Sequence, residues 1–169
     1  MDLATRGPFS IVLVEPKIPP NLGAVSRTCA ATGAPLYIVG PVTFREDHPA
    51  RRRAGLDYWD LAEKIRVDDW PAFVRLVAEN PSNGRLVLFT KKADSSLFEY
   101  RFRHGDFLVF GSETDGLSDE VLATPGVVTC RIPMREGIRS LNLATATGIA
   151  LYEAIRQVTF ENGDGEGMP

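Results

Sequence analysis

The sequence predicts an α/β fold: a mostly parallel sheet with helices on both faces. Three observations predict it. Short apolar runs at residues 9–14, 86–89 and 107–110 are rich in β-branched and aromatic residues and lack the polar alternation of a sheet with one wet face. Stretches of helical character alternate with these runs, as in crossover-connected parallel strands. Polar loops follow the apolar runs after Phe89, Phe110 and Ile132, and ligands in such sheets bind beyond the carboxyl ends of the strands.

Each element has a local reason. Residues 9–14 read as the first strand. Pro16, Pro19 and Pro20 predict a loop over residues 15–20, because proline lacks an amide donor and restricts its predecessor. Asn21 is then placed as an N-cap, residues 22–32 as a helix and Gly33 as its C-terminal cap. Residues 35–39 form a second strand, stopped by Gly40 and Pro41. The charged stretch 44–60 is expected to contain a short helix ending near Gly55, and residues 65–67 a short strand. Asp68, Asp69 and Trp70 prepare a helix over 71–78, and Asn80 to Gly84 make a turn cluster. After the strands at 86–89 and 107–110 come one or two helical turns at 118–122, a strand at 127–132 and a last helix at 142–159. Residues 1–160 are expected to form one domain, and the acidic, glycine-rich tail 161–169 to be disordered.

Composition narrows the function classes. The chain has 19 basic and 22 acidic residues, a net charge of −3 that argues against bulk attraction to nucleic acid. The tail carries three of the acids and no base, so the rest of the chain holds 19 of each sign. Two basic clusters stand out of that neutral body, Arg51-Arg52-Arg53 and Arg101 with Arg103. Recognition by shape and local contacts follows from such a weak overall field. Cys29 and Cys130 read as reduced packing residues, and no Cys/His cluster has metal-ligand spacing, so no metal is expected. No apolar run reaches the length of a membrane span or a signal-peptide core, which predicts a cytoplasmic protein.

Three blocks carry chemistry. The first runs from Glu15-Pro16-Lys17-Ile18-Pro19-Pro20-Asn21-Leu22-Gly23 to Arg27. The second is Phe110-Gly111-Ser112-Glu113-Thr114-Asp115-Gly116-Leu117. The third is Ile132-Pro133-Met134-Arg135-Glu136-Gly137-Ile138-Arg139-Ser140-Leu141-Asn142, leading into the small-residue helix of Ala144, Thr145, Ala146, Thr147, Gly148 and Ala150. Small residues let a second backbone or a ligand approach closely. Taken singly, each block fits a capped helix or a shaped turn equally well.

Together, in order and at domain spacing, the blocks resemble the SPOUT class of S-adenosylmethionine-dependent RNA methyltransferases. Within it they are most similar to the enzymes that methylate the ribose 2′-hydroxyl of the tRNA wobble nucleotide, cytidine or uridine 34. The resemblance spans about residues 11–157. It implies a deep C-terminal trefoil knot, with the last helix threaded through a loop, a rare exception to the usual topology rules. It implies S-adenosylmethionine as cofactor, leaving as S-adenosylhomocysteine. The cofactor would be held by Phe89, Thr90, Gly111, Glu113, Gly116, Ile132, Met134, Ser140 and Leu141. Arg27 and Asn21 would carry the catalytic end, with Ser140 and Asn142 adding hydrogen bonds. Arg51, Arg52, Arg53 and Tyr58, in a segment that also ends in Gly-Leu-Asp-Tyr in the wobble enzymes, would bind the anticodon stem-loop. The chain has no appended RNA-binding domain, so a homodimer is expected, with the last helix as its seam. Methylation of another RNA position, such as ribosomal RNA, and a non-catalytic RNA-binding role are the alternatives. The short N-terminal stretch disfavours the first and the intact motif residues the second.

Overall fold

The computed structural model describes residues 7–42, 61–79 and 84–160. Its elements in chain order are β1 (Ser10–Val14), α1 (Pro19–Thr32), β2 (Leu36–Val39), β3 (Lys64–Val67), α2 (Trp70–Ala78), β4 (Leu86–Phe89), β5 (Phe107–Phe110), α3 (Asp119–Leu122), β6 (Val128–Cys130) and α4 (Leu143–Phe160). The six strands form one sheet in the order β3-β2-β1-β5-β4-β6. Every pairing among them is parallel. Strand order reverses between β1 and β5, which opens a crevice at their carboxyl ends.

Both faces of β1, β2, β4 and β5 are dry, which is why their sequences are nearly continuously apolar, whereas the edge strand β3 alternates and leaves Arg66 exposed. Ile11 and Leu13 of β1 point into one core with Leu22, Val25, Cys29, Leu108, Leu151 and Ala154, beneath α1 and α4. Val12 and Val14 point to the other side, with Tyr37, Trp70, Phe73, Val77, Val109 and Val121, beneath α2 and α3. This side holds an aromatic cluster: Phe73 meets Tyr37 at 5.4 Å and Phe107 at 5.7 Å between ring centres. Burial pushes the Cys29 thiol up to about 12 and the Cys130 thiol up to about 11, so both are inert packing groups, as expected.

Helix α1 departs from expectation at its start. It begins at Pro19, its N-cap is Ile18, and no side chain of its own caps it. Pro19 and Pro20 occupy first-turn positions, whose amides have no intrahelical partner anyway, so proline costs nothing there. Asn21 is therefore inside the first turn and its side chain is released from capping. The ends of α1 and α2 follow the sequence, and Ser118, expected as the first helical residue, caps α3 instead. Gly33 closes α1, Asp69 accepts from the Ala72 amide at the head of α2, and Ser118 accepts from the Val121 amide at the head of α3. Strand β6 is shorter than expected and ends at Cys130, after which Arg131 pairs singly with Ser96. The helix expected within 44–60, the turn residues 80–83 and the tail 161–169 lie outside the described residues.

The long β4–β5 connection, residues 90–106, holds the C-terminal part of the chain at two points. Where the chain leaves β6, Leu97 donates to the Arg131 carbonyl at 2.8 Å and Arg131 donates to that of Ser95 at 2.9 Å. Near the end of α4, Gln157 is buried, at 1 % exposure. Its amide accepts from Phe102 N–H at 3.1 Å and donates to the Tyr100 carbonyl at 3.1 Å. A sheet, flanking helices and a C-terminal segment tied into one loop are consistent with the α/β-knot fold.

Candidate active site

A cleft of about 830 Å³ opens at the carboxyl ends of β4, β5 and β6. That is ample for a nucleoside-sized ligand. Its floor is aromatic: the Phe89 and Phe110 rings, at the ends of β4 and β5, stack 4.7 Å apart and 8° from parallel. Ile132, Leu117 and Leu122 extend the apolar wall. The 111–117 loop, Met134, residues 139–142, Asn21 and Ile18 also line it.

Side-chain hydrogen bonds join the three sequence blocks at this cleft. Glu113 accepts from the backbone amide of Lys17 at 2.9 Å, from that of Ile18 at 3.1 Å and from the Asn21 side chain at 2.9 Å. A carboxylate from the β5 loop thus supplies the N-terminal cap that α1 lacks, where the helix dipole also favours negative charge. The Asn21 carbonyl oxygen in turn accepts from the Asn142 amide at 2.8 Å. Asn142 uses its own carbonyl to cap α4, accepting from the amides of Ala144 at 2.9 Å and Thr145 at 3.2 Å. One chain of bonds therefore runs from the β5 loop through the head of α1 to the head of α4. Lys17 adds a second tie between the first two blocks through its ion pair with Asp115.

Burial alone would raise the Glu113 carboxyl. The donors from Lys17, Asn21 and Ile18 outweigh it and hold the carboxyl below its ordinary value. A depressed folded-state value means that the ionised contribution is fully present above the unfolded value and is lost as pH falls through the folded one. Glu113→Gln should accordingly be less stable than the wild type at neutral pH. The gap should narrow as pH falls below the ordinary carboxylate value of about 4.3. Urea denaturation of both proteins across that range reads this directly, and a gap independent of pH would mean that charge plays no part in the cap.

Two glycines shape the β5 loop for different reasons. Ser112 and Gly116 exchange backbone bonds of 3.2 and 3.0 Å, which closes residues 112–116 into a tight turn. A Cβ on Gly111 would lie 2.0 Å from the Gly116 carbonyl carbon, so the close approach that demands glycine here is of the protein's own backbone. Gly116 has open space around a Cβ but a φ of 72°, in the left-handed region.

The chain matches the SpoU rRNA methylase family over residues 8–152. It belongs to that family. A relative from Burkholderia ambifaria, a tRNA (cytidine(34)-2′-O)-methyltransferase, is 46% identical over 156 residues, covering 92% of this chain and 99% of its own. A protein of the same description from Escherichia coli is 43% identical over 153 residues, covering 90% and 95%. Among solved structures, one reported for the 2-OH methylation of C/U34 on tRNA superposes with a TM-score of 0.81 at 45% identity, covering 89% of this chain and 96% of that one. The SpoU methyltransferase AviRb from Streptomyces viridochromogenes, in complex with AdoMet, superposes with a TM-score of 0.77 at 29% identity, covering 92% and 60%.

In this SpoU family member the expected cofactor residues converge. Phe89, Thr90, Gly111, Glu113, Gly116, Ile132, Met134, Ser140 and Leu141 all line the one cleft, as do Asn21 and Asn142. Arg27 does not. It is exposed on α1 and absent from the cleft lining. Arg51, Arg52, Arg53 and Tyr58 lie outside the described residues. Sequence reasoning missed Lys17 and Asp115, whose pairing requires the β5 loop to sit against the α1 entry. It also missed Lys91, Lys92 and Arg139, which line the cleft. The signal available for Lys91 and Lys92 was their place just beyond the end of a buried strand, where ligand loops begin.

Proposed function

We propose that the protein is an S-adenosylmethionine-dependent methyltransferase that methylates the ribose 2′-hydroxyl of the wobble nucleotide, cytidine or uridine 34, of tRNA. The observation that carries this reading is the hydrogen-bonded joining of Glu113, Asn21 and Asn142 around the cleft. It occurs in a chain 43–46% identical to tRNA (cytidine(34)-2′-O)-methyltransferases. The residues present fit the cofactor. The stacked Phe89 and Phe110 offer an apolar shelf for a purine, and the volume accommodates the whole nucleoside with its amino-acid arm. When bound, the cofactor supplies an electrophilic methyl group on a sulfonium.

The chain's own part is positioning and charge. Phe89, Thr90, Ile132, Met134 and Leu141 hold the nucleoside, and Gly111 and Gly116 keep the β5 loop tight against it. Glu113 is ionised at neutral pH and places negative charge beside a cationic ligand. Its oxygens are already engaged by α1, so it acts on the ligand through its field and on the site through its geometry. Asn21 and Asn142 lock the heads of two helices, and Ser140, exposed at the rim, is free to meet the ribose. Fixing an attacking hydroxyl in line with the methyl group contributes roughly 7–11 kcal/mol at best. A guanidinium offers donors and no acceptor, so Arg27 does not suit the role of a simple base. Its exposure suits a guanidinium that meets RNA at the protein surface, gripping a phosphate or stabilising the developing alkoxide.

A cytoplasmic homodimer completes the proposal. The outer face of α4 leaves Ile149 at 40% and Tyr152 at 52% exposure, two apolar side chains on adjacent turns. Tyr152→Glu should shift the sedimenting species from dimer to monomer. The deciding assay incubates unmodified tRNA with the protein and labelled S-adenosylmethionine and maps the product. Methyl on the ribose of nucleotide 34 is the expected result; no methyl on tRNA, or methyl only in a parallel reaction supplied with ribosomal RNA, overturns it. Arg27→Ala should lower turnover by about 100-fold or more while leaving cofactor affinity nearly unchanged. Wild-type turnover in that variant would return Arg27 to an ordinary surface role.

A further inference from the structure

The mouth of the cleft carries three cations that the chemistry of cofactor binding does not use. Lys91 and Lys92 follow β4, and Arg139 stands in the loop before α4; all three are exposed and line the cleft. Among the described residues none of the three side chains makes an ion pair. Of the two acids that line the cleft, Asp115 is paired with the Lys17 ammonium, and Glu113, bound only by neutral donors from Lys17, Ile18 and Asn21, sets one negative charge against the three cations. Asp94 and Glu99 of the β4–β5 connection do not line the cleft. The mouth is therefore locally positive on a body whose two signs balance.

We propose that Lys91, Lys92 and Arg139 form a phosphodiester-binding rim that grips the RNA backbone flanking the nucleotide presented to the cleft. The inference rests on the reading of the site as an RNA methyltransferase. The sign of the rim decides between its two conceivable anions. S-adenosylmethionine carries a sulfonium and an ammonium against a single carboxylate, so three cations set against the one charge of Glu113 repel it on balance. A single-stranded loop presents successive phosphates and no positive charge, and each one neutralised releases counterions. Local contacts of this kind are also the only electrostatic route open to a body without net charge, since fields from distant charges are screened beyond about 8 Å.

The test compares the wild type with the Lys91→Ala, Lys92→Ala, Arg139→Ala triple variant. Binding of unmodified tRNA is titrated at several salt concentrations, and S-adenosylmethionine binding is measured by calorimetry. With each phosphate worth about 0.7 in the salt slope for single strands, the slope should flatten by about 2. At 0.1 M salt that corresponds to roughly 100-fold weaker RNA binding, with cofactor affinity unchanged. The charge-conserving variant Lys91→Arg, Lys92→Arg, Arg139→Lys should retain the slope, which separates charge from folding. An active wild type whose alanine variant keeps its RNA affinity and slope overturns the rim alone. Loss of cofactor affinity with an unchanged slope also overturns it, by assigning the cations to the cofactor carboxylate. A wild type that transfers no methyl group, yet whose alanine variant loses RNA affinity and slope, overturns the enzymatic reading and supports the rim.

Discussion

Gly111→Ala should abolish cofactor binding and cost at least about 3 kcal/mol of stability, the upper part of the range for overpacking. The added Cβ would sit 2.0 Å from the Gly116 carbonyl carbon, 2.2 Å from its oxygen and 2.3 Å from the Leu117 nitrogen. All three are backbone atoms, so no side chain can swing aside. The 112–116 turn must open, breaking the Ser112–Gly116 bonds. Glu113 rides on that turn, so the cap on α1 and the bond to Asn21 move with it. Gly116→Ala is the control. Its Cβ meets nothing within 4 Å, and only the left-handed φ opposes it, at about 1–2 kcal/mol. Calorimetric titration with S-adenosylmethionine and thermal melting of both variants decide the matter. If Gly116→Ala is the more damaging of the two, the closed turn is not what holds the site.

Asp106→Ala should destabilise the fold strongly although it lies outside the cleft. Asp106 is 1% exposed at the head of β5. It binds the Arg85 guanidinium with both oxygens and accepts from the Arg103 amide at 2.9 Å. Arg85 also donates to the Arg101 carbonyl at 2.9 Å and lies 5.2 Å from the centre of the Tyr100 ring. Removing the carboxylate strands a half-buried guanidinium and a backbone amide. Breaking one side of a buried pair costs about 3–5 kcal/mol, and the partly wet Arg85 places this case near about 3. For a chain of this size that corresponds to a fall of roughly 6–12 °C in Tm. The double variant Asp106→Ala, Arg85→Met should recover part of the loss, because no unpaired charge remains. Chemical denaturation of the three proteins measures it, and a loss below about 1 kcal/mol would reduce the pair to an ordinary surface ion pair.

The strands were legible because their signal is local. Residues 86–89 and 107–110 are apolar at every position, and both faces of β4 and β5 are in fact dry. The loops after Phe89, Phe110 and Ile132 were legible as ligand loops by the same logic, since strand direction alone sends them to one edge of a parallel sheet. The resemblance of the three blocks named nine residues for the cofactor, and all nine line the one cleft described. Asn21 was misread because asparagine before an apolar helical run is a good cap, and the sequence holds nothing nearby to outcompete that reading.

What the sequence determined by itself is therefore what depends on neighbours in the chain: the central strand runs, the start of α2 at Asp69, the closure of α1 at Gly33, and the edge of the sheet where the cleft opens. The tertiary structure alone decided the rest. Glu113 caps a helix whose Asn21 lies 92 residues away, and Asn142 reaches Asn21 across 121. Such bonds form only because β1 pairs with β5 in parallel, bringing the head of α1 and the β5 loop to the same edge. The pairing of Lys17 with Asp115 follows from that juxtaposition, the demand for glycine at 111 from the closing of residues 112–116 back onto it, and the cations at the cleft from the loops after β4 and before α4 meeting there. A hydrogen bond or a steric clash acts over a few ångströms of space and is indifferent to distance along the chain.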